Sequence, residues 1–142
     1  MSDSIASAPP QQLNLAAHLC AHNAPRAAKA AYIDDRCTLT YGDLATRIRQ
    51  FATVLRERGL RREERVLLLA HDTVDWPVAF LGAIHAGVVP VAANTLLTTA
   101  DYAYMLSHSR ARAAFVSAAL LPALEQALEQ GPHDVETVWV VD

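Results

Sequence analysis

From Arg65 onward, short apolar runs alternate with helix-patterned stretches, and this alternation constrains the fold more than any other feature. Arg65–Ala70 (RVLLLA) is a continuous apolar run, the pattern of a strand covered on both faces. Val88–Ala92, Ala113–Val116 and Thr137–Val141 (TVWVV) read as three further strands. Helices are predicted between them, over about Val74–Ala86, Thr99–Ser109 and Ala118–Gln130. Pro77 falls in the first turn of the first helix, where a missing N–H costs little, and Gly87 stops that helix. Thr98 and Asp101 form a T-x-x-D start for the second, with Tyr102, Met105 and Leu106 inward. Ser117 is expected to cap the third, with Gly131 behind it. Strand and helix in strict succession predict an α/β fold, a parallel sheet with right-handed crossovers and flanking helices.

The preceding half is less regular. A short helix is predicted over Leu13–His22, then two short strands, Ala30–Ile33 and Thr38–Thr40, joined by an Asp34, Asp35, Arg36 turn. Tyr41–Arg58 is the clearest helix. Leu44, Ile48, Phe51 and Leu55 recur at helical spacing and make one apolar stripe. Thr40 and Asp43 sit three apart at its start, close to a capping box with Asp in place of Glu. Gly59 follows the last turn and is suited to the left-handed C′ position, with Leu60 packing back.

Composition bounds the function classes. The 142 residues suit one domain or part of a larger one, and 52% hydrophobic with 19% charged residues argues for a packed core. A net charge of −3 gives no general attraction to nucleic acid or to an anionic membrane. The first residues, MSDSIASAPPQQ, have neither a basic start nor an apolar run, so a flexible polar tail over residues 1–12 is expected rather than a secretory signal. The apolar stretch Val78–Ala93 contains His85, Gly87 and Pro90 and falls short of the ~20 residues that span a bilayer. Cys20 and Cys37 form neither a disulfide framework nor a CxxC pair, and free thiols fit a cytoplasmic location.

No motif settles a chemistry by itself. The five glycines, Gly42, Gly59, Gly82, Gly87 and Gly131, are too scattered for GxGxxG or GxxxxGK[ST], and the one lysine, Lys29, has no glycine beside it. His18 and His22 have a spacing that can ligate zinc, yet no third ligand stands at a telling distance, so ordinary histidines are preferred. His71, Asp72 and Asp75 follow the apolar strand, where ligands of parallel sheets gather. The competing reading, capping of the next helix by Asp72 or Thr73, is favoured because a helix starts there. Arg47–Arg65 holds seven arginines and three glutamates, and a solvated, dipole-complementing face is preferred to a nucleic-acid patch. Ser107, His108 and Ser109 point to different sides of a helix, which argues against a nucleophile–base pair.

Several segments together resemble the N-terminal region of the adenylate-forming, AMP-binding enzymes. LTYGDLATRIRQFATVLRERGL (Leu39–Leu60) is similar to that family's first core motif and helix. The stretch Glu64–Ser117 is similar to the next two strand–helix units, and KAAYIDD (Lys29–Asp35) to the segment before them. LGAIHAGVVPVAANTLLTTADYAYM (Leu81–Met105), with Asn94–Thr98 and Asp101–Leu106, resembles the benzoate-CoA ligase branch in particular. The resemblance implies that residues 13–142 are the N-terminal part of an adenylation domain, incomplete as it stands. It implies ATP, Mg2+, coenzyme A and an aromatic, benzoate-like carboxylate for the parent enzyme, with no membrane or nucleic acid as partner and homodimerisation or self-association as an option. In the family, phosphate binding uses a Ser/Thr/Gly-rich loop ending in lysine, followed by later motifs and a C-terminal lysine, and none of these occurs here. No catalytic, cofactor-binding or metal-binding residue is therefore assigned, and the chain alone is expected to be inactive. Two alternatives stand beside this reading. One is a non-catalytic α/β binding module derived from a ligase. The other is a ligase for another acid, such as acetate, a fatty acid, a hydroxycinnamate or an amino acid.

Overall fold

A computed structural model describes residues 10–141. Most of the tail expected over residues 1–12 lies outside the described residues, and residues 10–12 are exposed. The chain begins with α1 (Leu15–Asn23), a hairpin of β1 (Ala30–Ile33) and β2 (Thr38–Thr40), and α2 (Tyr41–Glu57). Then follow β3 (Arg65–Leu69), α3 (Asp75–Ala86), β4 (Val89–Ala92), α4 (Thr99–Ser109), β5 (Ala113–Ser117), α5 (Leu121–Glu129) and β6 (Thr137–Val141). The hairpin is antiparallel and separate. The other four strands form one parallel sheet in the order β4-β3-β5-β6.

Alternation along the central strands builds two cores. Successive side chains on a strand point to opposite faces. Val66 and Leu68 of β3, with Ala113 and Phe115 of β5, meet Leu55 of α2 and Ala79 and Ala83 of α3 on one face. Leu67, Leu69, Ala114 and Val116 meet Tyr102 and Leu106 of α4 and Leu124 and Ala127 of α5 on the other. This two-sided burial is why RVLLL lacks a polar alternation. A third cluster, Ala16, Leu39, Leu44, Ile48 and Val74, ties α1 and the hairpin to α2 and the start of α3.

The local stop and start signals operate as the sequence predicts at most ends. Both T-x-x-D boxes close: the Thr40 hydroxyl accepts from Asp43 N–H at 3.1 Å and the Thr98 hydroxyl from Asp101 N–H at 3.2 Å, while each carboxylate accepts from its threonine. Those hydrogen bonds from threonine hold the Asp43 and Asp101 carboxyls below the usual range. Gly59 and Gly87 follow α2 and α3 with φ of 81° and 82°, the left-handed cap geometry open to glycine. Thr98→Ala is expected to lower stability by about 1 kcal/mol, read as an earlier urea midpoint with unchanged m-value.

Two predicted helix starts shift by more than one residue. The first helix starts at Leu15 rather than Leu13, because the Asn14 side chain accepts from Ala17 N–H at 3.0 Å and caps it there. The last helix is not continuous from Ala118, and Ser117 does not cap it. Ala118–Leu120 is a single 3-10 turn, and α5 begins at Leu121. Pro122 explains this: it has no N–H to give a helix already under way, but in a first turn that N–H has no partner anyway.

Candidate functional site at the carboxyl ends of β3 and β5

Strand order reverses between β3 and β5, and the helices that leave them go to opposite faces, α3 to one and α5 to the other. This is a topological switch point, where the crevice outside the carboxyl ends of two parallel strands admits ligands. The residues that reach it are Ala70, His71, Asp72 and Thr73 after β3, and Ser117 and Ala118 at the end of β5.

Ser117 is fully buried, and its hydroxyl accepts the His71 N–H at 3.0 Å. The bond links the ends of the two strands that flank the crevice. It also employs the hydroxyl that the sequence reading gave to a helix cap. His71 and Asp72 are exposed at the rim, as expected of residues at the end of an inner strand. The Thr73 N–H donates to the His71 carbonyl at 2.8 Å, which folds this segment into a tight turn.

The capping reading of Asp72 and Thr73 is corrected by the geometry. The cap residue of α3 is Val74, and no side chain of that segment caps the helix. Its N–H donates instead to Asp34 Oδ2 at 3.0 Å, from a turn forty positions earlier in the chain. Asp34 Oδ1 accepts from Arg36 N–H at 2.9 Å and Cys37 N–H at 2.8 Å. One carboxylate therefore closes the hairpin turn and fastens it to the β3–α3 loop beside the crevice. The hydrogen bonds from Val74, Cys37 and Arg36 hold the Asp34 carboxyl below the usual range. Asp75 does not face the crevice chemistry either: it pairs with Arg36 at 3.4 Å and Arg47 at 3.8 Å.

Asp34 is the position that the sequence reading missed as a site-shaping residue. Half of its role was legible, since Asp followed two residues later by a turn N–H is an Asx-turn signature. The contact to Val74 has no local signal. Because the folded carboxyl is held below its ordinary value, its contribution is complete above about pH 4 and is lost as pH falls through the folded value. Asp34→Ala is thus expected to destabilise the chain at pH 7, and the difference from wild type should shrink in acid unfolding below about pH 4. Paired thermal melts at neutral and acid pH check this; an equal gap at both pH values would refute the role of the charge.

The remaining candidates lie apart from the crevice and from one another. His18 and His22 stack on α1 with ring centroids 6.3 Å apart, and among the described residues no group of three His, Cys, Asp or Glu is placed to hold a metal. His108 stacks on Tyr104 at 5.3 Å and the buried Ser109 hydroxyl has no hydrogen-bond partner, so Ser109 and His108 form no nucleophile–base pair. Four of the seven arginines of Arg47–Arg65 have partners on the same chain: Arg47 on Asp75, Arg56 on the His85 carbonyl, Arg62 on the adjacent Glu63 and Arg65 on three carbonyls. Burial raises the Cys20 thiol against the opposing pull of Arg49. Cys37 is exposed and free.

Known proteins share this architecture. The family description "AMP-binding enzyme" matches residues 20–142. The benzoate–CoA ligase of Thauera aromatica is 46% identical over 126 residues, which cover 87% of this chain and 24% of that protein. The 4-hydroxybenzoate–CoA/benzoate–CoA ligase of Rhodopseudomonas palustris is 43% identical over 108 residues, or 76% of this chain and 20% of that one. Among solved structures, a benzoate CoA ligase from Burkholderia xenovorans LB400 superimposes with a TM-score of 0.87 at 53% identity, covering 92% of this chain and 26% of that chain. An anthranilate CoA ligase in complex with anthranoyl-AMP superimposes with a TM-score of 0.88 at 30% identity and 94% coverage of this chain. The chain spans about a quarter of the length of these relatives. With its parallel sheet, flanking helices and sequence match over residues 20–142, the chain belongs to the AMP-binding enzyme family.

Proposed function

We propose that residues 13–142 are the N-terminal part of the adenylation domain of an ATP-dependent aryl-acid:CoA ligase working in the cytoplasm on a benzoate-like acid. The carrying observation is 53% identity along a fold that superimposes on a benzoate CoA ligase with a TM-score of 0.87. In such a reaction the acid's carboxylate attacks the α-phosphate of ATP, giving an acyl-adenylate and pyrophosphate. The thiol of coenzyme A then displaces AMP and leaves a thioester. Charge on the phosphates is met by positioned donors, lysine and Mg2+.

The residues present do not fit a triphosphate. A phosphate cradle needs successive N–H groups on small residues. Here Gly42 and Gly82 lie inside α2 and α3, Gly59 and Gly87 end those helices, and Gly131 follows α5. Lys29 precedes β1, on the hairpin side of the molecule. The role we assign to this portion is therefore scaffolding. Ser117, His71 and Asp34 fix the crevice wall against which the remainder of a ligase builds its site.

The test is ATP–pyrophosphate exchange with benzoate. The 142-residue chain is expected to give no exchange, and a longer polypeptide carrying the same residues with a phosphate loop is expected to exchange. Exchange by the chain alone would sink the scaffold reading. A longer polypeptide that activates acetate or a fatty acid but not benzoate would leave the family intact and remove the aryl specificity.

A further inference from the structure

His85 lies in the last turn of α3, where a helix end ordinarily favours an imidazolium. Its surroundings favour the neutral ring instead. Nδ1 is buried without a hydrogen-bond partner, so a proton placed there would be an N–H with no acceptor. The ring shares a cleft with Ala17, Cys20 and Ala21 of α1 and with Ala45 and Arg49 of α2. A second guanidinium stands close by, since Arg56 Nη2 donates to the His85 carbonyl at 3.1 Å. In the groove on its other side are Arg62 and Glu63, which pair with each other at 3.4 Å. From α1 come the Cys20 thiol, His18 and His22, and no carboxylate. Burial first, then Arg56 and Arg49, hold the His85 imidazole below its ordinary range.

The elements around His85 are not held equally. α2 and α3 also pack on the sheet, through Leu55, Ala79 and Ala83. In α1 only Ala16 and Asn23 are buried, and Leu15 and Leu19 are exposed. Its start is fastened beside His85 by Asn14 Nδ2, which donates to the Ile84 carbonyl at 2.7 Å. A ring that must reach water will therefore displace α1 before it parts α2 from α3. We propose that α1 is an acid-released strap, packed on α2 and α3 while His85 is neutral and detached when His85 is protonated.

The sign follows from linkage. The released imidazole titrates near its ordinary value of about 6.5, and the packed one below it. The strap is thus fully held well above pH 6.5. It loosens as pH falls through that value and changes no further below the packed value. This window is separate from that of Asp34, and it stands whatever reaction the parent catalyses.

The experiment is amide hydrogen exchange on the 142-residue chain at pH 7.5, 6.5 and 5.5, expressed as protection factors so that the intrinsic pH dependence drops out. Protection over Leu15–Asn23 is expected to fall about three- to tenfold between pH 7.5 and 5.5, with Arg65–Leu69 unchanged. In His85→Gln the α1 protection is expected to be the same at all three pH values. The double variant His18→Gln/His22→Gln is expected to keep the fall. The reciprocal readout is the NMR titration of the His85 ring. Ala16→Gln, which lifts α1 without adding charge, is expected to move that titration up toward the ordinary value, and this reading stands even if His85→Gln does not fold. Constant α1 protection in the wild type would overturn the proposal, as would an equal fall in Arg65–Leu69. A fall that persists in His85→Gln or vanishes in the double variant would place the trigger elsewhere and overturn it too. So would a His85 titration that Ala16→Gln leaves where it was.

Discussion

Leu68→Ala is expected to lower the free energy of unfolding by about 2–5 kcal/mol, with the upper half of the range favoured by the surroundings. Leu68 is fully buried in the strand held between β4 and β5, with Ala92 and Phe115 as its register partners. The helix side of its cluster is built from Leu55 of α2 and from Ala79 and Ala83 of α3. Alanines have no side chain to swing into a void, and strands laddered on both sides cannot close on it. The cavity therefore persists, and cost rises with the volume that persists. For a domain stabilised by about 5–15 kcal/mol, the change removes a large share of the total. Equilibrium urea unfolding checks it, with Leu96→Ala as control: Leu96 is 90% exposed and its loss is expected to stay within about 0.5 kcal/mol. Equal midpoints for the two variants would mean that this face of β3 is not packed as described.

Gly82→Val is the second large effect and has the opposite origin. Here too much is added rather than too little left. A Cβ at Gly82 would lie 2.8 Å from Phe51 Cδ1, 3.1 Å from Phe51 Cβ and 3.2 Å from the Ile48 carbonyl oxygen. The ring could swing away from the first contact, but the other two involve the backbone and the root of a side chain on α2. Both helices would have to part. Phe51 is also edge-on to Phe115 at 5.7 Å and to Trp139 at 5.8 Å, so a shift of α2 reaches the sheet. Overpacking of this kind costs about 1–3 kcal/mol, more when backbone must move. Gly82→Ala is expected to cost less, because alanine regains up to about 1 kcal/mol of helix propensity. A lower melting temperature accompanied by altered Trp139 fluorescence is the expected signature. A valine variant as stable as wild type would show that α2 and α3 do not approach this closely.

The contrast between these two positions shows how much of the fold was legible beforehand. That Leu68 is buried follows from RVLLLA alone, since an unbroken apolar run in an alternating α/β pattern has no polar face to expose. That Gly82 is a point of close approach does not follow. A lone glycine within a helical pattern is equally compatible with tolerance, and only the crossing of α2 over α3 makes it tight. Likewise the T-x-x-D boxes at Thr40 and Thr98 close as read, because all their partners lie within one turn. The cap of α3 was misassigned for the complementary reason. Its acceptor, Asp34, is contributed by a separate hairpin forty positions earlier in the chain, where no local pattern points. Ser117 is a similar case. A serine after a strand and before a helix has a strong local claim to be a cap, yet its hydroxyl is taken by the His71 N–H in the segment that follows the neighbouring strand.

The crevice itself divides the same way. Its position after β3 was visible in sequence, because ligands of parallel sheets gather at strand carboxyl ends. Which strand would stand beside β3 there was not visible. β4 follows β3 in the chain, but β5 is the neighbour across the switch point.

What the sequence determined by itself was most of the properties set within a few residues: strand or helix, buried run or exposed loop, box closed or glycine stop, and the family likeness carried by those segments in order. Tertiary structure decided the properties that join distant segments: the strand order, the Asp34 clasp on Val74, the Ser117 link to His71 and the placing of His85 against α1 and α2. The physical reason is range. Local hydrogen bonds and side-chain periodicity depend on neighbours in the chain, whereas a carboxylate or hydroxyl accepts from whichever N–H the packed cores bring to it.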